Sequence, residues 1–206
     1  ATTEIYPLSL HDALPISASG APARAVVADG FQGMRFNSPN DAIVRSDGTI
    51  YFTDPTYGLG GGQQELPYRG VFRVTPSGTV TLVDSATFSQ PNGVALSPDE
   101  TTLYVSDSQA GGVYAFTVAP DGSTGSATLF VDAPPSDGMA VDDAGNLYFT
   151  TANGVEVHAA DGTPWGTIEV PEHPANCTFG GADRRTLFIT ARTGLYRVPL
   201  NIPGKP

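Results

Sequence analysis

The chain has 206 residues, 40% of them hydrophobic, which is enough for one domain with a real core. Its longest apolar runs are a few residues, against the roughly 20 that a membrane helix needs, so a helical spanning protein is excluded. With 10 Lys+Arg against 21 Asp+Glu and a net charge of −11, the surface repels phosphate backbones and anionic lipid, so neither nucleic acid nor membrane is an expected partner.

Glycine (24) and proline (18) make up about a fifth of the chain, and the rest is rich in Val, Thr, Phe and Tyr. That mixture predicts short strands joined by tight turns. No heptad and no long helical period accompanies it, so an all-β domain is expected. The one cysteine, Cys177, has no partner for an intramolecular disulfide. A soluble protein, cytoplasmic or exported, fits these features, and no protein partner is evident.

Residues 1–20 (ATTEIYPLSLHDALPISASG) carry no repeat and make a poor signal peptide, with no basic n-region and a broken apolar stretch. We read them as a leader foreign to the domain, like a translated adapter or assembly scar; a native disordered leader is the alternative. The domain is expected over 21–206. Arg24 to Ala28 reads as the outer strand of a preceding unit.

A repeat then begins. Asn40-Asp41-Ala42-Ile43-Val44 leads through a turn at Asp47-Gly48 into Thr49-Ile50-Tyr51-Phe52-Thr53-Asp54. Asn92-Gly93-Val94-Ala95-Leu96 leads through Pro98-Asp99-Glu100 into Leu103-Tyr104-Val105-Ser106-Asp107. Asp137-Gly138-Met139-Ala140-Val141 leads into Leu147-Tyr148-Phe149-Thr150, and Cys177-Thr178-Phe179-Gly180-Gly181 into Leu187-Phe188-Ile189-Thr190. In each repeat the first residue precedes the aromatic by 11 or 12 positions. A third strand opening on glycine follows each hairpin, at Gly70, Gly112, Gly154 and Gly194, and fourth strands are predicted at Thr79 to Val83, Ala127 to Val131 and Thr167 to Val170.

Four short antiparallel strands in a unit of roughly 40–50 residues are the pattern of a β-propeller blade. A blade has two apolar faces and buries them only by stacking on its neighbours around an axis. The innermost strand lines the central channel, so the residues opening those strands, Asn40, Asn92, Asp137 and Cys177, are placed near the channel mouth. Three of them bear side-chain oxygens that would converge. Asp54 and Asp107, closing the second strands, read as turn or inter-strand hydrogen-bonding groups. His158 and His173 lack metal-ligand spacing, Cys177 reads as a small buried residue, and Trp165 as packing within its blade.

The motifs Arg35-Phe36-Asn37-Ser38-Pro39-Asn40-Asp41, Tyr51 to Leu59, Gln90 to Val94, Ser136 to Met139 and Asn176 to Gly181 resemble the senescence-marker-protein/gluconolactonase/luciferin-regenerating-enzyme family, and its bacterial gluconolactonase branch in particular. The resemblance implies a six-bladed β-propeller, of which about four blades plus part of a fifth are expected here, as in an N-terminally truncated chain. It implies a divalent metal at the channel top, calcium first with zinc or magnesium as alternatives, held by Asn40, Asn92 and Asp137. The fourth family ligand, a glutamate from an early blade, has no counterpart, since Glu4 lies in the leader. The resemblance also gives Asp137 the proton-acceptor role. Arg35, Asn37, Asp41 and Tyr57, flanking Asn40, and Asn176 are the candidates for contacting substrate, with Asn37 and Asp41 also read as orienting the loop.

A hard cation with few carboxylate ligands stays electrophilic enough to polarise an ester carbonyl. With that chemistry, the resemblance implies metal-dependent hydrolysis of a sugar-type lactone such as gluconolactone as the expected function. The alternatives are a non-catalytic propeller binding module and an inactive truncated fragment of a lactonase.

Overall fold

The computed structural model describes residues 26–205. Four sheets follow one another, each with its strands paired antiparallel in chain order. The first blade holds β3 (Ala42–Val44), β4 (Ile50–Asp54), β5 (Gly70–Val74) and β6 (Val80–Asp84); before it lies a hairpin of β1 (Gly30–Phe31) and β2 (Met34–Arg35). The second blade holds β7 (Pro91–Leu96), β8 (Thr102–Asp107), β9 (Val113–Thr117) and β10 (Thr128–Val131). The third holds β11 (Ser136–Val141), β12 (Leu147–Thr151), β13 (Gly154–His158) and β14 (Pro164–Ile168). The fourth has three strands among the described residues, β15 (Pro174–Gly180), β16 (Thr186–Ala191) and β17 (Gly194–Pro199). The inner strands pack side by side, β7 between β3 and β11, and β11 against β15.

The period of two along each second strand explains why the blades stack. Tyr51 joins the core shared with the second blade, while its neighbour Phe52 faces the other way. Leu103 and Val105 look back to the first blade and Tyr104 forward to the third. Leu147 and Phe149 look back, and Tyr148 forward to Leu187 and Ile189 of the fourth. Tyr51, Tyr104 and Tyr148 are thus plugs into the following blade, and burying one such side chain contributes roughly 1.5–3 kcal/mol.

The backward face of the first blade is covered. Phe31, Met34 and Phe36, on and beside the β1–β2 hairpin, pack on Phe52 and Phe72, with edge-on contacts of Phe36 to both rings at 5.0 Å. The forward face of the fourth blade is open among the described residues, where Leu195 is 68% exposed.

Three sequence expectations need correction. Val26 to Ala28 form no strand, and Arg24 and Ala25 lie outside the described residues, as do residues 1–20. The outer strand of the third blade is Pro164–Ile168 and not Thr167 to Val170. Trp165 does not pack within its blade: it is 58% exposed on that strand, because an outermost strand has no neighbour beyond it to bury against.

Candidate functional site

The ladders fix which residues occupy equivalent places. Val94 pairs with Val105, Met139 with Phe149, Cys177 with Ile189 and Ala42 with Phe52. Each partner directly follows the repeat aromatic, so the openers two residues earlier are Asn40, Asn92, Asp137 and Ala175. The fourth opener is therefore Ala175 and not Cys177. An extra rung in the β15–β16 ladder, Gly180 with Thr186, lengthens that hairpin, shifts the spacing in that blade and hides the register. Cys177 instead shares the core position of Val94 and Met139, and burial pushes its thiol up to about 12.

A bulge sits at the start of three inner strands, between Pro91 and Val94, Ser136 and Met139, and Pro174 and Asn176. Bulges re-aim side chains, and here they turn Asn92 and Asp137 toward the channel mouth. Glycine follows both for steric reasons. A Cβ on Gly93 would stand 2.3 Å from the Asp137 carbonyl oxygen, and one on Gly138 would meet the Asn176 side chain at 2.1 Å.

Asn40, Asn92 and Asp137 line one cavity of about 480 Å³ together with Tyr57, Ser108, Pro134, Pro135, Ser136, Thr150, Ala152 and His173. A second hollow, of about 360 Å³, adjoins it past Asp137 and His173 and reaches Thr190 and Arg192. Asn92 is buried, Asn40 exposed and Asp137 between the two. Burial raises the Asp137 carboxyl above its ordinary range; a hydrogen bond from the Asn92 side chain opposes this, the Asp41 charge adds to it, and His173 opposes it. The other predicted contact in this cavity is Tyr57, whose hydroxyl pairs with that of Ser108 across the first and second blades.

The remaining predicted residues stand elsewhere. Arg35 is exposed and its Nε bonds Glu65 at 2.5 Å. Asn37 is buried, with Nδ2 donating to the Tyr68 carbonyl at 2.9 Å. The Asp41 carboxylate accepts the amides of Val94 at 3.1 Å and Ala42 at 2.9 Å, so it ties the first blade to the second. Asn176 lies against Gly138, and its Oδ1 accepts the Cys177 amide at 2.8 Å; it borders the channel beneath the mouth, with Asp41, Val94 and Met139. His173, Ser108 and Ser136 line the mouth although sequence reasoning had assigned them no part in it. His173 sits in the connection before β15, outside the repeat motif, and only its nearness to a bulged strand start could have flagged it.

The loops leading to the openers are held by buried aspartates, as expected for Asp54 and Asp107. Asp54 accepts the amides of Asn37 at 2.9 Å and Ser38 at 2.7 Å. Asp107 accepts those of Ser89, Gln90, Gln109 and Ala110, at 2.5, 3.2, 2.8 and 2.8 Å. Hydroxyls on the second strands reach onward to the next blade: Thr53 Oγ1 donates to the Asn92 carbonyl at 2.7 Å, Ser106 Oγ to that of Asp137 at 2.9 Å, and Thr150 Oγ1 to that of Ala175 at 3.1 Å.

Successive antiparallel blades whose inner strands line one side of a channel, with oxygen-bearing openers at its mouth, define an all-β propeller with an axial polar site. The chain belongs to the SMP-30/gluconolactonase/LRE-like family, whose model matches residues 15–193. It is 40% identical over 193 residues to the gluconolactonase of Zymomonas mobilis, covering 85% of this chain and 54% of that protein. It is 31% identical to the pentonolactonase XacC of Haloferax volcanii, covering 85% and 62%. A solved gluconolactonase from Xanthomonas campestris superposes with a TM-score of 0.79 at 36% identity, over 91% of this chain and 64% of that one. The chain thus spans about half to two-thirds of the length of these relatives.

Proposed function

We propose that the chain hydrolyses a sugar-type lactone at the channel mouth, with a divalent cation held by Asn40, Asn92 and Asp137. The observation that carries this reading is the shared cavity: three oxygen donors from three consecutive inner strands face one space of about 480 Å³, roomy enough for a small sugar ring. Membership of a family containing a gluconolactonase and a pentonolactonase supports the substrate class.

The donor set fits a hard cation in kind. Two amide oxygens and one carboxylate are calcium-type ligands, and their single negative charge implies weak binding. Among the described residues no three His, Cys, Asp or Glu side chains gather as a metal-holding cluster, so the calcium reading rests on the amide donors. When bound, the cation would polarise the lactone carbonyl and stabilise the negative charge developing on its oxygen.

The protein's own groups handle the proton. Hydrolysis adds water to the carbonyl carbon, breaks the bond from that carbon to the ring oxygen, and places a proton on the leaving oxygen. Asp137 accepts the proton of the attacking water; burial raises its carboxyl, but a bound cation would lower it, and the weak base that results suits a readily hydrolysed lactone. Tyr57 and Ser108, joined at the rim, offer hydroxyls to the sugar, and His173 borders the same space.

The test is base consumption during hydrolysis of D-glucono-δ-lactone in a pH-stat, with calcium, with chelator, and with Asp137→Ala. Calcium-dependent turnover above the spontaneous rate, lost in the variant, is the expected result. Equal rates in all three arms would overturn the proposal.

A further inference from the structure

Ser106 and Thr53 stand at the same place in successive blades, two residues after Tyr104 and Tyr51. Both are fully buried. Each makes the same pair of bonds. Thr53 Oγ1 accepts the amide of Asp41, the residue after the opener Asn40, at 3.2 Å and donates to the Asn92 carbonyl at 2.7 Å. Ser106 Oγ accepts the amide of Gly93, the residue after the opener Asn92, at 2.9 Å and donates to the Asp137 carbonyl at 2.9 Å.

We infer that these two hydroxyls are positioning residues that set the spacing of Asn40, Asn92 and Asp137 across the blade boundaries. The inference rests on the metal reading above and adds what holds that site in shape. Asn40 keeps its backbone bond to Thr53 at 2.9 Å, whereas the bulged starts of β7 and β11 have lost part of their ladder bonding, so the peptides carrying Asn92 and Asp137 lack the usual register constraint. A buried hydroxyl that both accepts and donates supplies it, linking the three openers in series. Hydrophobic packing between blades is less directional and tolerates small slips, whereas a hydrogen bond weakens steeply outside a narrow range of distance and angle. The third blade repeats only the forward donation, from Thr150 to the Ala175 carbonyl at 3.1 Å, its other contact being the Gly138 carbonyl at 3.2 Å, and there the opener carries no ligand atom. The relay is therefore a property of the repeat that the site makes use of.

The repeat also supplies the conservative variant. Threonine occupies the position of Ser106 in the other three blades, at Thr53, Thr150 and Thr190. Calcium binding to the 206-residue chain would be measured by titration calorimetry for wild type, Ser106→Ala and Ser106→Thr. Loss of groups that orient metal ligands typically weakens binding by about 10–100-fold, so about tenfold or more is expected for Ser106→Ala, with Ser106→Thr close to wild type. Wild-type affinity in Ser106→Ala, or an equal loss in both variants, would overturn the inference, the second because it would point to packing volume.

Hydrogen exchange at the Gly93 amide, followed by NMR, is the readout that does not depend on metal. Faster exchange in Ser106→Ala than in Ser106→Thr is expected, and unchanged exchange would overturn the relay. If wild type binds no calcium, the metal reading falls, and Gly93 exchange alone then decides the relay.

Discussion

Asp137 is where stability and chemistry pull apart. Its carboxyl is raised above its unfolded value of 3.8, chiefly by burial. A carboxyl raised in the folded state costs stability at every pH above its folded pKa, and the cost vanishes below the unfolded value, where both states are protonated. Asp137→Asn should therefore melt higher than wild type at pH 7 in chelator. Its advantage should shrink as the pH falls toward the unfolded value and reverse when calcium is added at pH 7. Melting curves at several pH values, with and without calcium, check this. A variant less stable than wild type at pH 7 in chelator would mean that the carboxylate is a structural group.

The other mouth residues differ in how far the sequence revealed them. Asn40, Asn92 and Asp137 were legible because a repeat position, and not the residue type alone, selects them. The role of Cys177 as a small buried residue was legible too, but the true fourth opener was not: one extra rung in the β15–β16 ladder lengthens the hairpin without altering the hydrophobic pattern that marks the strands. Arg35 shows the limit of flanking-residue arguments, since its guanidinium finds Glu65, thirty residues on, by loop geometry that leaves no local trace.

Among the elements, the connections into the inner strands decide where the openers stand. The Asp107 carboxylate gathers four amides from both sides of the loop that precedes Asn92. Removing it leaves those donors without their acceptor in a buried place, so Asp107→Ala should lose about 2–4 kcal/mol of stability, read from urea unfolding. A loss below about 0.5 kcal/mol, the size of an ordinary surface change, would contradict this. The second strands were read correctly from the repeat, and two of them close on the aspartates Asp54 and Asp107. The outer strand β14 was misplaced because an edge strand buries little and shows no strict alternation, its pattern being exposed for four of five residues.

At the scale of the whole molecule, the C-terminal segment crosses beneath the blades. The Gly204 amide donates to the Arg184 carbonyl at 2.8 Å and the Lys205 amide to that of Val141 at 3.0 Å, while Lys205 Nζ reaches Glu100 at 3.4 Å. The second, third and fourth blades are thereby joined at the end of the channel away from the site. Backbone bonds and packing should carry this more than the ion pair, because partly exposed ion pairs contribute roughly 0–1 kcal/mol. Deleting residues 201–206 should lower the melting temperature by several degrees, and Lys205→Ala by a degree or two at most. The reverse ranking in a thermal melt would show that the charge pair is what fastens the tail.

The architecture as a whole was readable because blades repeat and because the repeat tyrosines Tyr51, Tyr104 and Tyr148 each bury in the next blade. The covering of the first blade by the β1–β2 hairpin was not, since that hairpin has only two residues in each strand and its role is set by the phenylalanines around it. What unites these scales is one claim, that Asn40, Asn92 and Asp137 converge on a cation. Anomalous diffraction from crystals of the chain grown with calcium tests it most directly. A single strong peak is expected, with oxygens of those three side chains at about 2.3–2.6 Å, the usual calcium–oxygen distance. A calcium ion ordered elsewhere, with none between those three residues, would contradict it.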